Sequence, residues 1–109
     1  MTPSPYPDVK VFLRDYDDDR SPVWDVYLTS QANGLPLDLS ESYLSAPVLD
    51  NGIEAGALVI IRDEDVEGHL VFQLTKDVFD KLGRYSTWRL HEESLIKAAL
   101  LEGRIIKDS

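Results

Sequence analysis

Short runs in which apolar and polar side chains alternate recur along this chain, and each is closed by a turn signal. A two-residue period puts every second side chain on one face, so each run reads as a half-buried strand. Residues 9–14 (VKVFLR) set Val9, Val11 and Leu13 against Lys10, Phe12 and Arg14. Residues 23–29 (VWDVYLT) set Trp24, Val26 and Leu28 against Val23, Asp25 and Tyr27. After the turn pair Asn33-Gly34, Leu35, Leu37 and Leu39 alternate again, and residues 69–75 (HLVFQLT) send Leu70, Phe72 and Leu74 inward.

Other stretches fit the same class. Residues 43–49 form a strand that Pro47 pushes towards a sheet edge or a bulge. Residues 57–61 (ALVII) are a continuous apolar run, the mark of a strand buried on both faces. Residues 84–90 and 103–107 supply two more. Residues 94–101 (SLIKAALL) have helical propensity, yet among so many strands they serve equally as a bulged strand entering the last one, and we read them as strand. Asn51-Gly52 and Gly56 punctuate a loop, and residues 15–22 and 62–68 are acidic turns. Residues 75–82 predict one helical turn, capped by Thr75, apolar at Val78, Phe79 and Leu82, and ended by Gly83.

About seven or eight strands, with turn signals every ~8–12 residues and no helix long enough for a parallel crossover, predict an all-β fold. The expected architecture is an immunoglobulin-like antiparallel β-sandwich with one short helical turn. At 109 residues the chain suffices for one such domain. Pro3, Pro5 and Pro7 mark residues 1–8 as a proline-rich N-terminal tail or edge segment, which leaves 9–109 as the sandwich.

Charge and composition exclude several classes. A net charge of -9 argues against capture by nucleic acid or an anionic membrane, so neither partner is expected. The absence of cysteine removes disulfides, thiolate nucleophiles and cysteine zinc sites. The N-terminus has no basic and apolar regions of a signal peptide, and no apolar run approaches a bilayer span.

The most informative local constellation is Asp80, Gly83 and Tyr85. Immunoglobulin-type sandwiches place a tyrosine near the start of strand F, where its hydroxyl bonds back to the corner backbone. Thr87 then stands where antibody domains carry the second cysteine, and Trp24 can supply the large inward aromatic. The alternative is that Gly83 only ends a helical turn and Tyr85 is an ordinary strand residue. Either way the three residues are architectural.

Catalytic patterns are missing from the sequence: there is no nucleophile elbow, no phosphate-cradling glycine loop and no dinucleotide fingerprint. We therefore expect no enzyme, no catalytic residues and no cofactor. His69 and His91 are the two histidines, and each reads as a solvated or hydrogen-bonded strand residue rather than a metal ligand. Asp15, Asp17 and Asp19 alternate like the first ligands of a calcium loop. Arg20 replaces the required glycine, however, and Val26 the required glutamate. Alternating strands would put that loop and residues 63–67 at opposite ends of the sandwich. The apolar stretch 95–101 is read as core packing rather than a membrane or partner-helix contact.

Three segments together carry a resemblance. They are Gly34-Leu35-Pro36-Leu37-Asp38-Leu39-Ser40, then residues 68–74 leading to Gly83-Arg84-Tyr85, then Leu100-Leu101-Glu102-Gly103-Arg104-Ile105-Ile106. Their order resembles the N-terminal β-sandwich domain of phage baseplate upper proteins and related tail-fibre and minor tail proteins, over roughly residues 9–107. The resemblance implies a non-enzymatic structural or interaction module of a phage or prophage tail or baseplate, found in the virion or host cytoplasm. Its partners would be proteins of a viral assembly, further copies of the chain among them. Tyr6, Tyr16, Tyr27 and Trp88 are the aromatic candidates for such an interface, with core packing the rival role for Trp24 and Trp88. A small acidic inhibitor that binds a host protein, imitating nucleic-acid charge, is the alternative.

Overall fold

A computed structural model describes residues 4–30, 34–39, 42–63, 65–94 and 98–108, apart from the side chains of residues 4, 18 and 19. In chain order the elements are β1 (Ser4–Pro5), β2 (Val9–Phe12), a 3-10 helix (Leu13–Asp19), β3 (Val23–Tyr27), β4 (Leu44–Ser45) and β5 (Pro47–Asp50). There follow β6 (Ile53–Ala57), β7 (Val59–Arg62), β8 (His69–Gln73), α1 (Lys76–Lys81), β9 (Tyr85–Glu92) and β10 (Ala98–Asp108).

The strands form two sheets. The larger runs β1-β10-β9-β5-β6, with β2 also on β10 and β4 also on β9; the smaller runs β3-β8-β7. This is the strand order of an immunoglobulin-like sandwich. The small sheet takes the places of strands B, E and D, and β5, β9 and β10 those of C, F and G. Pairing is antiparallel except where β1 and β2 run parallel to β10.

Between the sheets lies the core that alternation predicts. Val26, Leu28, Leu70, Phe72 and Leu74 are buried from one side, and Val48, Trp88, Leu90 and Ile105 from the other. Trp88 is its centre, with the rings of Phe72 at 5.1 Å, Tyr6 at 5.6 Å and Trp24 at 6.4 Å. Trp88 is thus the large inward aromatic, and Trp24 flanks it half-buried. Gly103 pairs with Trp88 across the strands, and a Cβ there would stand 2.7 Å from the indole, so this glycine makes room for the ring.

From Ser4 the proline stretch is an edge segment rather than a tail: β1 pairs with β10, and the Tyr6 hydroxyl donates to the Asp25 carbonyl at 2.8 Å. Other expectations need amending. Residues 57–61 are not a strand buried on both faces. Leu58 is buried where the chain changes sheets, and its N–H donates to the Ala46 carbonyl at 2.8 Å. Beyond it Val59 and Ile61 face outward at 41% and 46% exposure, because β7 is an edge strand with one covered face.

Residues 53–57 form a strand where the turn signals up to Gly56 predict a loop. Asn51 (φ 52°) and Gly52 (φ 79°) close a two-residue hairpin, the geometry in which both turn residues need positive φ. The helical turn forms as α1, but the Thr75 side chain makes no cap bond. At its other end Lys107 Nζ donates to Phe79 O at 2.9 Å and, just past the helix, to Leu82 O at 3.2 Å. In the stretch 94–101, Ala98 onward is strand, and 95–97 lie outside the described residues.

Candidate functional site

Of the corner residues, Asp80 (in α1) and Gly83 lie between β8 and β9, and Tyr85 opens β9. Along β9 the inward positions are Ser86, Trp88, Leu90 and Glu92, so Tyr85 and Thr87 fall on the opposite face. Tyr85 is 57% exposed, with Arg84 against its ring. The hydroxyl that ties this corner belongs to Tyr16, from the 3-10 helix. It donates to the buried Leu74 carbonyl at 2.9 Å, and its ring packs on Phe79 at 4.8 Å. Burial and the nearby Asp15 and Asp80 carboxylates push the Tyr16 phenol well above its usual range. Gly83 does not adopt a left-handed conformation; it admits the Asp50 carboxylate, which would lie 3.1 Å from a Cβ there.

On the large sheet the outward residues of β9 and β10 mix the exposed Tyr85 with Arg89 and Glu102, an ion pair at 3.4 Å. On the small sheet the first cross-strand row is Val23, Gln73 and Val59, and the second is Asp25, Val71 and Ile61. The third begins with Tyr27 and His69. Val23 is 56% exposed and Tyr27 67%. An antiparallel sheet that faces water normally turns polar residues outward. This one presents an apolar surface between two edge strands, β3 and β7.

Gln73 is the polar residue of the first row, and the charged groups of this face cluster around His69. His69 Nδ1 lies 2.7 Å from Asp63 Oδ2, and Nε2 lies 2.9 Å from Asp25 Oδ1. The imidazole stacks on Tyr27 with centroids 4.5 Å apart and planes 14° from parallel. Its side chain is 13% exposed, against 62% for Asp25. Hydrogen bonds to Asp63 first and Asp25 second raise the His69 pKa, since both favour the charged ring. Asp63 is lowered by the same contact and by the Asp65 N–H, which donates to its Oδ1 at 2.9 Å.

Gly68 sets up the approach. Its φ of +79° turns the chain into β8, and its carbonyl accepts the Leu28 N–H at 2.8 Å. Beside the turn is an open depression of about 540 Å³, lined by Asp38, Asp63, Asp65 and Glu67 together with Arg62 and Leu39. The Arg62 guanidinium donates to the carbonyls of Leu39 and Ser42.

With both ring nitrogens engaged by carboxylates, His69 offers no free lone pair to a metal or to a substrate proton. Among the described residues no group of three or more histidine, cysteine or carboxylate side chains is placed to hold an ion. The two acidic loops lie at opposite ends of β8, one by Leu74 through Tyr16 and the other at His69. They do not converge. The Asp15 carboxylate accepts the Phe12 N–H at 2.8 Å, and the Asp19 side chain is outside the described residues.

Of the expected interface aromatics, Tyr6, Tyr16 and Trp88 are core or half-buried, and Tyr27 alone is exposed. Sequence reasoning missed the neighbours of Tyr27. The period-2 signal does put Asp25, Tyr27 and His69 outward, but it does not say that β3 and β8 pair, and in this register. Tyr43, at 64% exposure, was also overlooked. No described helix is long and apolar enough to cross a membrane. No protein-family model matches the chain, and a search of curated proteins returns no match.

Proposed function

We propose that this chain is a non-enzymatic structural and interaction module that assembles with further copies of itself through the outer face of β3-β8-β7. The setting that the sequence resemblance supports is a phage or prophage tail or baseplate. One observation carries the reading: Val23, Tyr27, Val59, Ile61 and the half-buried Val71 make one sheet face apolar where solvent would favour polar residues.

A second copy is the occupant for two reasons. An edge strand can pair with itself about a two-fold axis, which makes β7 self-complementary, and no described strand lies on its outer side. Each copy carries a net charge of -9, so most approaches are repulsive. On this face Asp25 of the second row and Asp63 of the β7–β8 turn already have His69 as counter-charge. The face therefore meets its copy with less repulsion than the rest of the surface.

Light scattering after size-exclusion chromatography tests this on the intact chain and on Ile61→Lys. The intact chain should give a mass above the 12.3 kDa monomer that rises with protein concentration and persists at high salt. Ile61→Lys should weaken the association at least about tenfold with little change in thermal stability, since Ile61 is 46% exposed. A monomer under every condition would overturn the reading and favour an acidic inhibitor that needs a different protein.

A further inference from the structure

We propose that His69 is a proton-dependent strap on this face. As an imidazolium it ties Asp25 of β3 to Asp63 of the β7–β8 turn, and loss of its proton both loosens the turn and turns the face repulsive to its own copy. The inference rests on the self-association reading above and names how that association is regulated.

The geometry requires a charged ring. A neutral imidazole has one N–H, so it can donate to only one of two carboxylates. Distances of 2.7 and 2.9 Å on opposite nitrogens are both hydrogen-bond lengths, and both are satisfied only when each nitrogen carries a proton. Removing one proton leaves a carboxylate oxygen facing a ring lone pair, and one of the two contacts must open.

The groups around the ring sharpen the effect. From β3 it meets Asp25 and the ring of Tyr27. From the β7–β8 side the same depression holds Asp63, Asp65 and Glu67, and Asp38 lines it from the preceding loop. Arg62, the cation there, donates to the carbonyls of Leu39 and Ser42. Arg62 keeps its charge at every pH in question, so the protonated His69 is the titratable counter-charge, and the carboxylates it touches are Asp25 and Asp63. About a two-fold axis its loss doubles, because each copy brings Asp25 and Asp63 to the other.

Two readouts test the inference on the intact chain. In dilute protein, an NMR titration follows the ring signals of His69, assigned against those of His91, and of Tyr27. The His69 midpoint should lie above the ordinary ~6.5, and Tyr27 should shift with the same midpoint. Asp25→Asn should bring both down. An ordinary midpoint that Asp25→Asn leaves in place would overturn the strap.

In concentrated protein, the self-dissociation constant should rise about tenfold or more from about pH 6 to about pH 9, the change that a one-unit difference in the His69 midpoint between the separate and the associated chain produces. It should be flat in His69→Gln, and attenuated in Asp25→Asn if the glutamine variant does not fold. Association that ignores pH while the ring data hold would overturn the regulatory role and leave self-association standing. No association at any pH would overturn the self-association reading itself.

Discussion

At the scale of single residues, the fold depends on a few atoms whose neighbours leave no slack. A methyl group at Gly103 would stand 2.7–2.8 Å from three atoms of a fully buried indole, closer than packed carbons tolerate. Gly103→Ala should cost about 1–3 kcal/mol as the ring and strand shift to relieve it, read as a lowered urea midpoint. The Tyr16 hydroxyl supplies the buried Leu74 carbonyl with its donor. Tyr16→Phe should cost about 1–2 kcal/mol by leaving that oxygen without its tyrosine partner. Tyr85→Phe should stay within about 0.5 kcal/mol, because that tyrosine is exposed. Equal losses for the two tyrosines in chemical denaturation would return the corner to Tyr85.

The scale of elements shows what a period-2 pattern conveys and what it omits. It assigned inward faces correctly to residues 69–75 and to Trp24, Val26 and Leu28, because each of those strands has one dry side and one wet side. It misread 57–61, where the apolar residues on the outward side of β7 imitate a strand buried on both faces. Nor could it place Tyr16. A hydrophobic residue alone among Asp15, Asp17, Asp18 and Asp19 looks solvated until a 3-10 turn aims its ring at Phe79. The His69 cluster was half legible, since its members face outward by parity but meet only through the register of β3 on β8. The apolar edge also makes an element-level prediction. Val59→Lys together with Ile61→Lys should abolish self-association, yet leave the unfolding temperature within a few degrees of the parent chain. A collapse of stability instead would show that these side chains serve the fold.

Over the whole molecule, charge and protonation set the conditions under which the fold and its assembly persist. The raised His69 pKa contributes stability that is fully present below the unfolded value of about 6.5 and is lost as pH rises through the higher folded value. The lowered Asp63 pKa contributes stability that is present above its ordinary carboxylate range and lost as pH falls through the depressed value. The cluster is therefore strongest between those limits. Thermal unfolding followed from about pH 5 to about pH 9 should show the parent chain losing its advantage over His69→Gln at the alkaline end. Salt should act in the opposite sense on assembly. Copies that each carry -9 repel, so screening should strengthen an apolar contact where it would weaken an ionic one. Backbone hydrogen exchange at a low and a high protein concentration tests most directly that copies meet through β3-β8-β7. At the higher concentration the amides of Val59–Arg62 and Val23–Tyr27 should exchange more slowly, while those of β9 and β10 stay as they were. Identical exchange in all four strands at both concentrations would contradict the assignment of that face to assembly.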